Sequence, residues 1–356
     1  MRGKVKSQPS MLCVGSVEDR VPLSHPLRAI KQLTDECLKA MNAQFDAIYS
    51  DMGRPSIPPE RLLKGQLLIA LYSVRSERQL CEQLEYNMLF RWFLDMDFVE
   101  PVFDPTSFTQ NRNRLLGTDA AGELLRQVVE LARSRNLMSP DHFSVDGTLI
   151  QAWASHKSFR PKGEDPKDGD GNGWADFKGE KRSNETHESN TDPDARLARK
   201  GNGQAAQLCY SGHALMENRN GLIADFEVCE ASGTAERQVA IEMIEKTPGE
   251  TATLGADKGY DTKDFIADCE DRGVVPHVAR NQGSRRTSAV SDEIANSPTF
   301  AASQVVRRRI EQIFGWMKEV GGLRRTRYRG TARVRAHGQL VAAAYNLLRI
   351  AKLLPA

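Results

Sequence analysis

Residues 142–150 read HFSVDGTLI, residues 207–216 read QLCYSGHALM and residues 222–230 read LIADFEVCE. The first run is a strand interrupted by Asp146 and Gly147. The other two are strand-like runs joined across Asn218 to Gly221, and the Asn220-Gly221 pair is a strong hairpin signal. Helical spacing follows over Glu236 to Lys246, a short strand over Thr251 to Ala256, and a second helix over Thr262 to Arg272. Val274 to Val278 is again a strand, and a helix runs from about 302 to 320. The order is therefore one strand, a hairpin, then two further strands each preceded by a helix.

That order resembles the ribonuclease H-like fold, in which three antiparallel strands are followed by helix-separated parallel ones. A dinucleotide-binding reading fails, because no glycine-rich loop follows the first strand. The fold class expected is α/β, a ribonuclease H-like mixed sheet with helices, preceded by an all-α module. Within the chain of 356 residues the expected boundaries are a partly helical leader at 1–50, a helical module at 51–136, and the sheet-bearing domain at 137–356.

The module begins where Pro55, Pro58 and Pro59 stop the preceding helix. Leu63, Leu67, Ala70, Leu71 and Val74 recur at helical spacing, and Ser76 with Gln79 has capping-box spacing for the next helix. Asp104, Pro105 and Thr106 open another helix, which carries Thr109, Gln110, Asn111, Arg112, Asn113 and Arg114. Amides and arginines of this kind reach base edges and phosphates. A polar face turned to solvent fits them equally well.

Residues 160–203 form a polar insert in which 19 of 44 positions are charged and six are apolar. Such a segment cannot bury enough surface to fold independently, so a mobile loop is expected. Asp168, Asp170, Asn172, Gly173 and Asp176 imitate a calcium loop, but Gly179 stands where the bidentate acid belongs.

A formal net charge of +2 divides unevenly. Residues 302–356 hold 12 Lys and Arg against Glu311 and Glu319, leaving 37 basic against 45 acidic residues before them. A tail of net +10 behind a body of net −8 suits a polyanionic partner. No run reaches the 18 or so apolar residues that a membrane span needs, and the faintly signal-like start lacks a cleavage site, so a cytosolic protein is expected. The six cysteines are scattered without a Cys-x-x-Cys pair, which argues against a disulfide framework or a zinc finger.

Three acids fall on different elements: Asp146 in the first strand, Asp257 in ADKGYD at the end of the fourth, and Glu311 on the late helix. Carboxylates brought to about 4 Å repel by several kcal/mol at an effective dielectric near 20, so such a cluster requires cations. Two divalent ions roughly 3.5 to 4 Å apart would neutralise it and clamp the oxygens of a phosphodiester displacement. Oxygen ligands favour magnesium or manganese. On a continuous helix Arg307, Glu311 and Lys318 lie within about 40° of one another. One reading is a metal ligand flanked by phosphate-holding cations; an exposed ion-pair network is the other. Ile310, Ile313, Phe314 and Met317 form the neighbouring apolar face.

Asp146-Gly-Thr, ADKGYD and RRRIEQIFGWMK together resemble the DDE transposases of bacterial insertion sequences, in the group that includes the insertion-sequence-four and insertion-sequence-five families. The segments GRPSIPPERLLKGQLLIALYSVRSERQLCEQL and FDPTSFTQNRNRL are similar to the domain preceding the catalytic core in many of them. The resemblance covers roughly residues 50–350. Where the family often carries a tyrosine three residues before the arginine, this chain has Gln304.

The resemblance implies a transposase that binds the terminal inverted repeats of its own element and catalyses metal-dependent strand cleavage and strand transfer. Asp146, Asp257 and Glu311 would be catalytic and would hold two Mg2+ or Mn2+ ions. DNA contacts are expected from Arg307, Lys318, Tyr260, Arg112, Arg114, Arg324, Arg325 and Arg327. Tyr260 fits a packing role as well as stacking on a terminal base. Trp153 and Trp316 fit core packing better than stacking. Implied partners are double-stranded DNA, both repeats and target, and a second copy of the chain, with no membrane, in the bacterial cytoplasm at the nucleoid. The alternatives are an inactive or domesticated DNA-binding descendant and a generic ribonuclease H-like nuclease.

Overall fold

The computed structural model describes residues 15–49, 56–163, 182–201, 203–233, 235–247, 251–281 and 287–354. Among the described residues seven α-helices come first, after one 3-10 turn at Glu18–Arg20: α1 (Leu27–Ala40), α2 (Asn42–Ile48), α3 (Pro59–Leu71), α4 (Glu77–Tyr86), α5 (Met88–Phe93), α6 (Pro105–Leu116) and α7 (Ala120–Ser134). Their starts follow local chemistry. The Ser76 hydroxyl accepts from the Gln79 amide at 3.1 Å, while the Gln79 side chain reaches back to the amide of Arg75 at 2.9 Å. Asp104 accepts from the amides of Thr106 and Ser107, with Pro105 at the first helical position.

The strands are β1 (His142–Gln151), β2 (Phe159–Pro161), β3 (His187–Ser189), β4 (Arg196–Ala198), β5 (Gln207–Glu217), β6 (Ile223–Glu230), β7 (Thr253–Ala256) and β8 (Val275–Val278). Between and after them lie α8 (Ala235–Lys246), α9 (Lys263–Glu270), α10 (Asp292–Ala295), α11 (Pro298–Val306), α12 (Arg309–Glu319) and α13 (Thr331–Leu353). The main sheet has the order β6-β5-β1-β7-β8. β5 is antiparallel to both β1 and β6, whereas β7 is parallel to β1 and β8 to β7. This is the ribonuclease H-like arrangement that the element order predicts. The hairpin turn closes at Gly221, whose φ of 67° favours glycine.

Alternation along β1 serves both faces of the sheet. Phe143 and Val145 join Val239 and Met243 of α8 in one cluster. Ile150 joins Phe226 and α13 in the other. That second cluster runs from Val21 to Ile350, so the amino-terminal helices, the sheet face and α13 share a continuous apolar core across residues 136–137. α13 lies close against Phe226: a Cβ on Gly338 would stand 2.2 Å from the ring.

The late helix is not continuous. α11 ends at Val306 and α12 starts at Arg309, with i to i+3 bonds from Ile310 to Arg307 and from Glu311 to Arg308 tightening the junction. This corrects the expectation of one unbroken helix over 302–320, and Arg307 sits at the tightened junction between the two segments. Ile310, Ile313, Phe314 and Met317 are buried, as their spacing predicts.

The later part of the polar insert is anchored, which corrects the expectation of a mobile loop for those residues. β3 pairs with β2, and β4 extends the β6 side of β5. Buried Asp192 accepts from the Tyr210 hydroxyl at 2.5 Å and the Gly330 amide at 3.1 Å. Asp194 takes both the amide and the hydroxyl of Thr331, at 2.8 and 2.9 Å, capping the first turn of α13 from across the chain. The calcium-loop imitation, Asp168 to Asp176, lies outside the described residues. No helix among the described residues is long and apolar enough to cross a membrane.

Candidate active site

Parallel pairing between β1 and β7 ends with Ser144 opposite Gly255. Two residues beyond each stand Asp146 and Asp257, so the sheet brings the first two sequence-predicted acids to matching positions on neighbouring strands. Asp257 ends β7 by accepting from the Gly259 amide at 2.7 Å, which opens a 3-10 turn over Lys258–Tyr260. Asp146 accepts from the Gly147 amide at 2.8 Å. Burial pushes the Asp146 carboxyl up to about 6; Asp257 and Glu236 add to this, while the Gly147 amide and Arg307 oppose it.

Glu236, in the first turn of α8, is the site residue that sequence reasoning missed. A Cβ on Gly147 would lie 3.0 Å from its Oε1 and 3.2 Å from His213 Nδ1. The missing side chain of Gly147 is therefore what leaves room for Glu236 beside the aspartates. Burial raises the Glu236 carboxyl, and Asp257 raises it further. The usable signal was the Asp-Gly step itself, a glycine inside a strand that admits a close approach.

Two buried polar groups point into this cluster without partners among the described residues: Tyr260 Oη and His213 Nδ1. Burial lowers His213 to about 4, so it is neutral at ordinary pH. Tyr260 is buried against Phe265, with ring centroids 5.2 Å apart. That corrects its expected DNA contact, since no face of the ring is open to a base. Burial raises its hydroxyl first, followed by Glu236, Asp146 and Asp257. Its neighbour Asp261 has a structural role, accepting from the amides of Asn281 and Ala289.

Arg307 lies over the same strand ends, its Cβ 3.5 Å from where Gly255 would carry one. Gln304 holds it there: the amide oxygen accepts from Arg307 Nε at 2.9 Å while the amide nitrogen donates to the His277 carbonyl. The residue standing in place of the family tyrosine thus orients the arginine. Glu311 is exposed in the first turn of α12, and no hydrogen bond or ion pair involves its carboxylate among the described residues. Hard oxygen donors at Asp146, Asp257 and Glu236 suit a divalent cation of the magnesium type. Among the described residues, however, no three His, Cys, Asp or Glu side chains stand together at ligand spacing. Asp146 and Asp257 are the pair that the fold assembles.

The expected DNA contacts divide by exposure. Arg114 and Arg324 are exposed, the latter paired with Glu319. Arg325 donates to the Trp153 carbonyl at 2.9 Å and stacks over its half-exposed ring at 4.9 Å. Arg327 donates to the Arg75 carbonyl at 3.0 Å. Lys318 is half-buried, its ammonium destabilised by burial, Lys200 and Arg324. Arg112 is buried: its guanidinium meets both carboxylate oxygens of Glu77 at 2.8 and 2.9 Å and stacks on Tyr328 at 4.8 Å. This corrects its expected DNA contact, because the charge is already used inside the protein. Trp316 packs edge-on against Tyr345.

The family described as Transposase DDE domain matches residues 138–347, spanning every element of this site. The chain belongs to the DDE transposase family. A second family, described as Transposase domain (DUF772), matches residues 15–114 of the same transposase. No curated relative matches the chain. Solved structures similar to it include a piggyBac transposase synaptic complex with hairpin DNA, at 8% identity and TM-score 0.42 over 95% of this chain and 77% of that one. Another is a Mos1 strand transfer complex, at 12% identity and TM-score 0.21 over 88% of this chain and 84% of that one. Likenesses this faint leave the fold of the transposase resting on its own strand order.

Proposed function

We propose that this transposase binds the terminal inverted repeats of its own insertion sequence and catalyses cleavage and strand transfer there. The observation that carries the proposal is the Asp146–Asp257 pair on adjacent strand ends, with Arg307 over it. Two like charges at such a place call for a cation. When bound, Mg2+ or Mn2+ would neutralise charge on the phosphodiester and lower the pKa of an attacking oxygen. Asp146 and Asp257 would hold it, with Glu311 completing the set as the family pattern implies.

The chemistry is two displacements at phosphorus. Water first adds an oxygen at the element end as the bond to the 3′ oxygen breaks, and the 3′-hydroxyl departs with the proton. That hydroxyl then attacks a target phosphodiester, forming a new P–O bond as the target's own 3′ oxygen leaves. Arg307 offsets charge on the phosphoryl oxygens, and Gln304 holds the arginine in place. The helical module at 51–136 would read the repeat, while the domain at 137–356 carries the reaction. Arg114, Lys318, Arg324, Arg325 and Arg327 would track phosphates. Two copies would pair the two ends, acting on nucleoid DNA in the cytoplasm.

The test is strand cleavage on a duplex carrying the DNA that flanks the gene. Asp146→Ala, Asp257→Ala and Glu311→Ala should each abolish magnesium-dependent cleavage while leaving DNA binding nearly intact. Chelation should do the same to the parent protein, reversed by Mg2+ or Mn2+. Full cleavage by any two of the variants overturns the assignment. Binding without cleavage by the parent protein would identify a DNA-binding descendant that has lost the chemistry.

A further inference from the structure

Where β1 runs out beside α12, a cleft of about 360 Å³ opens between the sheet edge and the end of the polar insert. Arg199, Lys200, Lys318 and Arg324 line it with the amides of Gln151 and Gln207, and no carboxylate lines it among the described residues. Its character is local: the larger cavity, about 840 Å³ between α7, β6 and α13, is lined by Asp119, Glu123, Glu130, Asp225 and Glu227 as well as cations.

The cations of the smaller cleft come from separate parts of the chain. Lys318 stands on α12 and Arg324 just after it, whereas Arg199 and Lys200 follow β4 at the end of the insert. Lys318 is half-buried, and burial, Lys200 and Arg324 all act against its charge. Arg324 has an outward partner in Glu319. An anion in the cleft would supply the counter-charge that Lys318 lacks, and the glutamine amides would add hydrogen-bond donors.

We propose that this cleft is a phosphodiester site of the DNA on which the transposase acts, and that Arg199 and Lys200 give the polar insert a DNA-binding role. β1 sets the distance from the chemistry. Leu149 and Gln151 line the cleft three and five residues beyond Asp146. At about 3.3 Å per residue that is roughly 10 to 17 Å. The phosphate held in the cleft is therefore distinct from the one that reacts. This placement rests on the reading of Asp146 as part of the reaction centre.

The experiment compares the full-length protein with Arg199→Ala/Lys200→Ala on a duplex carrying the flanking sequence of the gene, measuring Kd across salt. Both residues are exposed, so the double variant leaves the core untouched. Losing two phosphate contacts should reduce the slope of log K against log salt by about 1.8. Ethylating the phosphates around the cut one at a time should reveal a position at which binding by the parent protein weakens and binding by the variant does not. An unchanged slope, or interference that persists in the variant, overturns the proposal. So does inorganic phosphate perturbing the cleft in both proteins while their DNA binding stays identical, since the site would then take only a free anion. A parent protein that does not bind the duplex would instead fail the transposase reading itself.

Discussion

Asp146 and Asp257 stand equally far, two residues each, beyond the last parallel pair of their neighbouring strands, Ser144 and Gly255. The hydrogen-bonded sheet fixes this relationship, so the carboxylates meet before any ligand arrives. Burial, and after it the charges of Asp257 and Glu236, pushes the Asp146 carboxyl up to about 6, and perturbed carboxyls of this kind mark candidate reaction centres.

Glu236 lies near this pair beside Gly147, where an added side chain would crowd it. Gly147→Ala puts a methyl carbon 3.0 Å from Glu236 Oε1 and 3.2 Å from His213 Nδ1. Both Gly147→Ala and Glu236→Gln should reduce cleavage by about a hundredfold or more, the lower end of a general acid–base contribution. Thermal melting of Glu236→Gln should shift little, since that change keeps the side chain's shape and opens no cavity. Undiminished cleavage in both variants would make Glu236 a bystander.

Arg112 and Glu77 bridge α6 and α4 from buried positions. Arg112→Met should cost about 3 to 5 kcal/mol in denaturant unfolding, because the buried Glu77 loses its counter-ion and keeps only its hydrogen bonds from Thr109 and Gln66. Combining it with Glu77→Gln should recover most of that loss. The salt slope of DNA binding should not change in the double variant. A slope reduced by one unit would restore Arg112 to the phosphate contacts.

Gly338→Ala tests the packing of α13 on the sheet. In an open helix the change would stabilise by about 1 kcal/mol. Here the new carbon would stand 2.2 Å from the fully buried Phe226 ring. Overpacking of this type costs about 1 to 3 kcal/mol, so a lower melting temperature is expected. Phe226→Leu in the same chain should relieve it.

Asp225, mostly buried on β6, is pushed up to about 6 by burial and then by Glu227, against Lys246 and Arg126. Its folded pKa exceeds the unfolded value near 3.8, so the native state binds the extra proton. Stability from this group is therefore full below about pH 4 and is lost as pH rises through 6. Asp225→Asn removes the dependence. Between pH 4 and pH 7 the variant should gain on the parent by up to about 3 kcal/mol. Unfolding curves at the two pH values measure it directly.

Periodicity and turn chemistry revealed the strands, the hairpin at Gly221 and the capped helices, because local residue choice decides those features. The topology followed from element order, and the DDE pattern singled out Asp146 and Asp257, which the sheet sets on neighbouring strand ends. Three things were beyond reach. Glu236 becomes part of the site through an absence at Gly147 on another element. Arg112 looks like a surface arginine until Glu77 and Tyr328, far away in sequence, enclose it. The junction between α11 and α12 at Arg307 and Arg308 carries no Gly or Pro that would announce it.

The shared core also has a temporal side. α13 buries apolar surface against α7, α3 and α1, helices that leave the ribosome long before it does. At about 5 to 20 residues per second, roughly 10 to 40 s separate the emergence of α7 from that of α13. During that interval the nascent amino-terminal helices expose a face that only the later helix can cover.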